Sequence, residues 1–309
     1  MPRIKARGLE FEYETFGDPA ATPMLLVMGL GAQMLTWPEP FCRMLSERGF
    51  FVIRYDNRDV GLSSRLDHLG VPDPMQVFAR AVPPAYTIDD LADDAAGIVD
   101  ALGIKAAHVV GASMGGFIVQ ALAVRHPDKV LSLTSFMSDL GGADAVAAAP
   151  DVIALLLSPP PTDREGLIEH GVELSRAFWG TRYFDEDRAR SSRTAAVDRA
   201  ISIAGTARQA GACLVRPSRR EALGNLRVPA LVIHGSADPL VPFENGRRTA
   251  EAIPGARLLV LEEAGHDIPP ALYQEIADAI AETARAARAA PEAAPASCPR
   301  SRARAGWCR

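Results

Sequence analysis

The stretch His108-Val-Val-Gly-Ala-Ser-Met-Gly-Gly-Phe117 limits what this chain can fold into more than any other part of it. Val109 and Val110 continue an apolar run of the kind needed by a parallel strand buried on both faces. Phe117, Ile118, Ala121, Leu122 and Val124 then follow at helical spacing. A strand and a helix joined only by Gly111-Ala-Ser-Met-Gly115 require a tight turn, and that turn reads G-x-S-x-G. In such a nucleophile elbow the serine backbone is forced into strain, so its neighbours must be small, and Gly111, Gly115 and Gly116 meet that demand. The turn leaves the first amides of the helix without partners, so the partial positive charge at the helix start lies beside the Ser113 oxygen. A plain Gly-rich strand-to-helix connection is the alternative, and the strand before the turn with the helix after it is the context in which the G-x-S-x-G pattern counts.

Composition narrows the classes. At 309 residues and 48% hydrophobic, the chain can bury a large core as one α/β domain or two smaller ones. A net charge of -5 offers no basic field for phosphate backbones, so nucleic acid is not an expected partner. No apolar run approaches the roughly 20 residues that span a bilayer. Met1-Pro-Arg-Ile-Lys-Ala-Arg7 lacks the apolar centre of a signal peptide, so no membrane association is expected and the cytoplasm is the expected compartment. Cys42 and Cys213 lie in apolar stretches and read as buried thiols. Cys298 and Cys308 show no metal-ligand spacing, and neither a disulfide, a metal nor a cofactor is implied.

In chain order, Ile4 to Phe16 reads as a pair of antiparallel edge strands and Met24 to Met28 as a central strand ending in Gly29-Leu-Gly31. A helix is expected around Phe41, Met44 and Leu45, a strand at Phe51 to Tyr55, and an irregular, proline-containing stretch up to Tyr86. Thr87-Ile-Asp-Asp90 has the form of a helix start, with Ile88, Leu91, Ala95, Ile98 and Leu102 on one face. The elbow strand and helix follow, then a strand at Val130 to Phe136. This alternation predicts an α/β fold with a mostly parallel central sheet and helices on both faces. From 141 to 227 the pattern is helical: Val152 to Leu157, then Leu167 to Phe178, then Ala195 to Ala212. We read 141–227 as an inserted helical cap, 1–140 and 228–288 as the core, and the Ala-, Pro- and Arg-rich 289–309 as a disordered tail. Strands resume at Ala230 to Gly235 and Arg257 to Leu261, before a last helix from Leu272 to about Arg288.

A serine hydroxyl needs a base to take its proton and a third group to fix the tautomer of that base. Asp238, in His234-Gly-Ser-Ala-Asp238, follows one late strand, and His266, in Glu262-Glu-Ala-Gly-His266, follows the other. Ser113, Asp238 and His266 thus stand in the order Ser, Asp, His at three strand ends, which makes them the expected catalytic set. Glu262, Glu263 and Asp267 are rivals for the acid role, His234 reads as structural, and His68, His126 and His170 receive no role. The N–H groups of Met114 and Leu30 are the expected oxyanion donors, one just after the serine and one in the glycine turn after the first central strand.

Together, Val27-Met-Gly-Leu30, Arg54-Tyr-Asp-Asn-Arg-Asp-Val-Gly-Leu-Ser63, Gly111-Ala-Ser-Met-Gly-Gly116, His234-Gly-Ser-Ala-Asp238 and Gly265-His266 resemble the α/β-hydrolase superfamily, from the N-terminus to the last helix. Within it the chain is similar to serine esterases related to aclacinomycin methylesterase, and among these to the integron-borne serine-dependent macrolide esterases. Many relatives have His-Gly where this chain has Met28-Gly29, and Arg-Gly where it has Arg58-Asp59. The resemblance implies ring opening of a sixteen-membered macrolide lactone, and so antibiotic inactivation. A polyketide methylesterase and a general carboxylesterase are the alternatives, since they share the same three groups, and a non-catalytic ligand-binding module is an alternative of another class. The expected partner is a small-molecule ester or lactone, itself large and apolar; Phe178, Trp179, Met34, Met114 and Met137 are candidate walls of an apolar pocket for it, and ordinary cap packing explains them equally well.

Overall fold

A computed structural model describes residues 2–156 and 158–289. Eight strands form its sheet: β1 (Arg3–Ala6), β2 (Leu9–Phe16), β3 (Thr22–Val27), β4 (Phe50–Tyr55), β5 (Ala107–Ala112), β6 (Val130–Phe136), β7 (Ala230–Gly235) and β8 (Arg257–Leu261), in the order β1-β2-β4-β3-β5-β6-β7-β8. The β1–β2 and β2–β4 pairs are antiparallel, and every pairing from β4 to β8 is parallel. The helices are α1 (Glu39–Glu47), α2 (Pro74–Phe78), α3 (Ile88–Ala101), α4 (Met114–Arg125), α5 (Pro150–Leu156), α6 (Arg164–Phe178), α7 (Glu186–Arg199), α8 (Ile203–Leu214), α9 (Arg220–Leu223), α10 (Phe243–Ala252) and α11 (Tyr273–Ala289).

Period-2 alternation sends neighbouring side chains to opposite faces, so a strand in the middle of such a sheet feeds a core on each side. Along β3, Leu25 and Val27 enter one core with Ile88 and Leu91 of α3 and Ile118 and Leu122 of α4. Met24 and Leu26 enter the other core, with Phe41 and Leu45 of α1 and Ile276 and Ile280 of α11. Val109 and Val110 of β5 divide in the same way. Each such side chain contributes about 1.5–3 kcal/mol by leaving water. Helix α4 is buried all round from Met114 to Ala123, which explains why it carries no polar stripe. Helix α3 starts on a full capping box: Asp90 N–H donates to Thr87 Oγ1 at 3.2 Å, and Thr87 N–H donates to Asp90 Oδ2 at 2.9 Å.

The structure departs from the sequence reading at three helices. The expected run from Ala195 to Ala212 is two helices, because Ala200 adopts an extended backbone (φ -168°, ψ 139°) between α7 and α8. Helix α10 stands between β7 and β8, where apolar spacing gave no signal, because most of its residues are polar or charged. The irregular stretch before Tyr86 contains the short helix α2. Cys42 is buried, and its thiol is pushed up to about 12 by that burial, with Arg54 opposing. Cys213 is half-buried rather than buried. Cys298, Cys308 and the expected tail, apart from Ala289 at the end of α11, lie outside the described residues. Among the described residues no helix is long and apolar enough to cross a membrane.

Candidate active site

Parallel strands send all their carboxyl ends to one edge, and Ser113, Asp238 and His266 follow β5, β7 and β8 there. Ser113 sits at φ 57°, ψ -121°, a left-handed backbone angle that costs a non-glycine residue energy. Its N–H is held by Phe136 O at 2.9 Å. The turn closes only because its flanks lack side chains: a Cβ on Gly115 would lie 2.1 Å from Val27 O. Ser113 Oγ has no hydrogen-bond partner among the described residues, so the hydroxyl stands unengaged at the head of α4.

Asp238 is 5% exposed and has both oxygens committed. Its Oδ1 accepts from Leu240 N–H at 2.9 Å and Val241 N–H at 2.8 Å, while Oδ2 lies 2.7 Å from His266 Nδ1. The two backbone donors fix the carboxylate, so the fixed oxygen in turn fixes the imidazole. A carboxylate can only accept, which puts the proton on Nδ1 and leaves the Nε2 lone pair as the free base. Nε2 makes no hydrogen bond among the described residues.

The rivals for the acid role are engaged elsewhere. Asp267 is paired with Arg188; burial raises its pKa and Arg188 opposes that rise. Glu263 pairs with Arg182 at the surface, and Glu262 accepts from Ser236 Oγ at 3.3 Å. His234 is buried with Nε2 at 2.7 Å from Val241 O, and burial holds its pKa below the ordinary value despite the charge of Asp238. It packs behind the site as a neutral ring. His126 is bound to Asp93 at 2.8 Å, outside the site.

The loop after β3 lies directly against the serine, since a Cβ on Gly29 would be 3.0 Å from Ser113 Cβ and 3.5 Å from its Oγ. In this loop Gly31 N–H donates to Gln209 Oε1 at 2.9 Å, Ala32 N–H to Gly29 O at 3.3 Å and Met34 N–H to Asp56 Oδ1 at 2.7 Å. The N–H groups of Leu30 and Met114 have no acceptor among the described residues. Leu30, in the loop after β3, and Met114, the first residue of α4, thus each carry an uncommitted amide in the immediate neighbourhood of Ser113.

Three features escaped the sequence reading. The histidine loop is tied to the end of α6: His266 N–H donates to Phe178 O at 2.6 Å and Gly265 N–H to Trp179 O at 3.1 Å. Arg188 reaches Asp267 while its guanidinium lies 3.8 Å from the centroid of the Trp179 ring. Gln209 and Arg208 of α8 are fully buried against the loop after β4. Arg188, Arg208 and Gln209 lie in helices whose polar residues resemble a solvated face when only spacing is read, and the backbone tie leaves no signal in spacing at all. The expected pocket walls differ as well. Met34 and Met114 have no exposed surface and Met137 is 5% exposed, so they pack within the protein instead of lining an open pocket.

Comparison with known proteins adds to this geometry. A family model described as the alpha/beta hydrolase fold matches residues 22–269. Rhodomycin D methylesterase of Streptomyces sp. (strain C5) is 36% identical over 299 residues, covering 89% of this chain and 94% of that protein. The rhodomycin D methylesterase of Streptomyces peucetius is 35% identical over 295 residues, covering 89% and 94%. Among solved structures, the meta-cleavage product hydrolase from Pseudomonas fluorescens IP01 superposes with a TM-score of 0.74 at 23% identity, covering 93% of this chain and 98% of that one, a likeness of fold.

Proposed function

Because the chain belongs to the α/β-hydrolase family, we propose that it is an ester-cleaving hydrolase working through an acyl-enzyme on Ser113. The observation that carries this reading is the 2.7 Å contact between Asp238 Oδ2 and His266 Nδ1, at the same sheet edge as a strained, uncommitted serine. Ser113 Oγ attacks the ester carbonyl as its proton passes to His266 Nε2, and the carbonyl electron pair moves onto oxygen. That oxyanion is met by Leu30 N–H and Met114 N–H, each worth roughly 3–4 kcal/mol. Collapse expels the alkoxide, which takes the proton from His266 and leaves as alcohol. A water then gives a proton to Nε2 as its oxygen attacks the acyl carbon, and collapse of that second intermediate breaks the bond to Ser113 Oγ, which takes the proton back from Nε2 as the acid is released.

For the substrate, identity of 36% over 89% of the chain to a rhodomycin D methylesterase favours the methyl ester of a polycyclic polyketide. Ring opening of a sixteen-membered macrolide is the second reading; it rests on the resemblance carried by Met28-Gly-Leu-Gly31 and Tyr55-Asp-Asn-Arg-Asp59. Mass spectrometry on a panel of anthracycline methyl esters, macrolides and p-nitrophenyl esters separates them. A methyl ester gains water and loses methanol, whereas an opened lactone only gains water. Turnover of the short esters alone would remove both polyketide readings, and absence of fluorophosphonate labelling at Ser113 would remove the serine mechanism itself.

A further inference from the structure

The amide pair beside Ser113 is useful only if the loop after β3 holds Leu30 N–H toward the serine, and that loop is a glycine turn with Gly31 at φ 65°. A turn of this kind has several accessible conformations, so something must select one. The contact that does so comes from α8. Gln209 is fully buried, its Oε1 accepts from Gly31 N–H at 2.9 Å, and its Nε2 donates to Arg58 O at 2.8 Å. Only one orientation of the amide satisfies both partners, because one supplies a donor and the other an acceptor. Thr206, one helical turn earlier, closes on the same residue: a Cβ on Gly31 would lie 2.8 Å from its Cγ2.

We infer that Gln209 is a positioning residue for the oxyanion site: by occupying Gly31 N–H and bracing it against the loop after β4, it leaves Leu30 N–H as the free donor beside Ser113. The inference rests on the serine esterase reading above. It makes the helical segment between β6 and β7 part of the reaction machinery.

The test compares native enzyme with Gln209→Met, which keeps the length and removes both hydrogen bonds. Active sites are counted by fluorophosphonate titration, and an aryl trifluoromethyl ketone serves as the probe. Ser113 Oγ adds to the ketone carbon and the carbonyl pair becomes an oxyanion in the donor site, so its affinity reports that site directly. We expect kcat per titrated site on p-nitrophenyl butyrate to fall about tenfold to a hundredfold with KM within about threefold, and the inhibition constant of the ketone to rise by the same factor. A merely structural role would lower the yield of titratable enzyme and leave both constants unchanged, and that result overturns the inference. Amide exchange in the native enzyme tests it without a variant. Gly31 N–H should be protected in the free enzyme, and Leu30 N–H should become protected only in the ketone complex; a freely exchanging Gly31 overturns the inference. If the native enzyme takes up no fluorophosphonate, the serine reading has failed instead.

Discussion

Asp238 gives one oxygen to two backbone amides and the other to His266, which is the arrangement expected of a group whose task is orientation. Under the proposed mechanism Asp238→Asn presents an amide to Nδ1, favours the wrong tautomer and lowers kcat by up to about 10⁴-fold, while Glu262→Gln and Glu263→Gln change it little. Steady-state rates on a p-nitrophenyl ester decide the ranking, and a glutamate variant that lost more would move the acid role to it. Ser113→Ala should leave less than about 1% of the native rate with the thermal midpoint essentially unchanged, because Oγ makes no hydrogen bond among the described residues and alanine keeps both the Cβ and the backbone angle. His234 carries a pH prediction. Its native pKa lies below the ordinary 6.5 because burial disfavours the charged ring, so the unfolded chain takes up a proton that the native state refuses. This contribution to stability is present above 6.5 and is lost as pH falls below it toward the native value. Urea midpoints at about pH 7 and about pH 5 should differ less in His234→Gln than in the native protein.

At the scale of elements, the joint between the loop after β4 and α8 is the most consequential one that spacing did not reveal. Asp59 stands at φ 72°, a left-handed backbone angle that favours glycine, and its carboxylate receives Arg208 Nε at 2.8 Å and Nη2 at 2.7 Å, Leu66 N–H at 2.7 Å and the Tyr86 hydroxyl at 2.8 Å. Burial acts to raise its pKa, but these donors outweigh it and hold the carboxyl below the usual range. Arg208→Met should therefore cost about 3–5 kcal/mol in denaturant unfolding, because it strands a buried charge. The double variant Asp59→Gly with Arg208→Met should recover much of that loss, since it removes the partner charge and the left-handed strain together. A double variant no more stable than Arg208→Met would refute this account. The residues concerned were visible in Arg54-Tyr-Asp-Asn-Arg-Asp59, but not their partner, because a buried arginine on a helix has the same sequence signature as an exposed one. Helices α7 and α10 were obscure for a related reason: the residues they bury are Ala189 in α7 and Asn245, Gly246 and Thr249 in α10, which make no apolar stripe in the sequence.

For the whole molecule, the sheet was the most legible part, because a strand buried on both faces is written largely in apolar residues, as Met24 to Val27 is and as β5 is apart from the buried His108. The three groups at its carboxyl edge were legible through their order along the chain, whereas what fastens them to the intervening helices was not, being made largely of backbone carbonyls that leave no trace in a sequence. The mechanism assigns every developing charge to a side chain or an amide, so dialysis against a strong chelator should leave the rate on a p-nitrophenyl ester within about twofold, and a loss restored by a divalent ion would refute the scheme. The seam between the histidine loop and the end of α6, with Arg188 clasping Asp267, bears on how such a protein can be re-engineered or can diverge. The segment between β6 and β7 is not a detachable module. Transplanting the equivalent segment of a relative would have to keep the carbonyls of 178 and 179 in reach of the loop and a cation at 188; otherwise the graft would leave the histidine loop without its anchor.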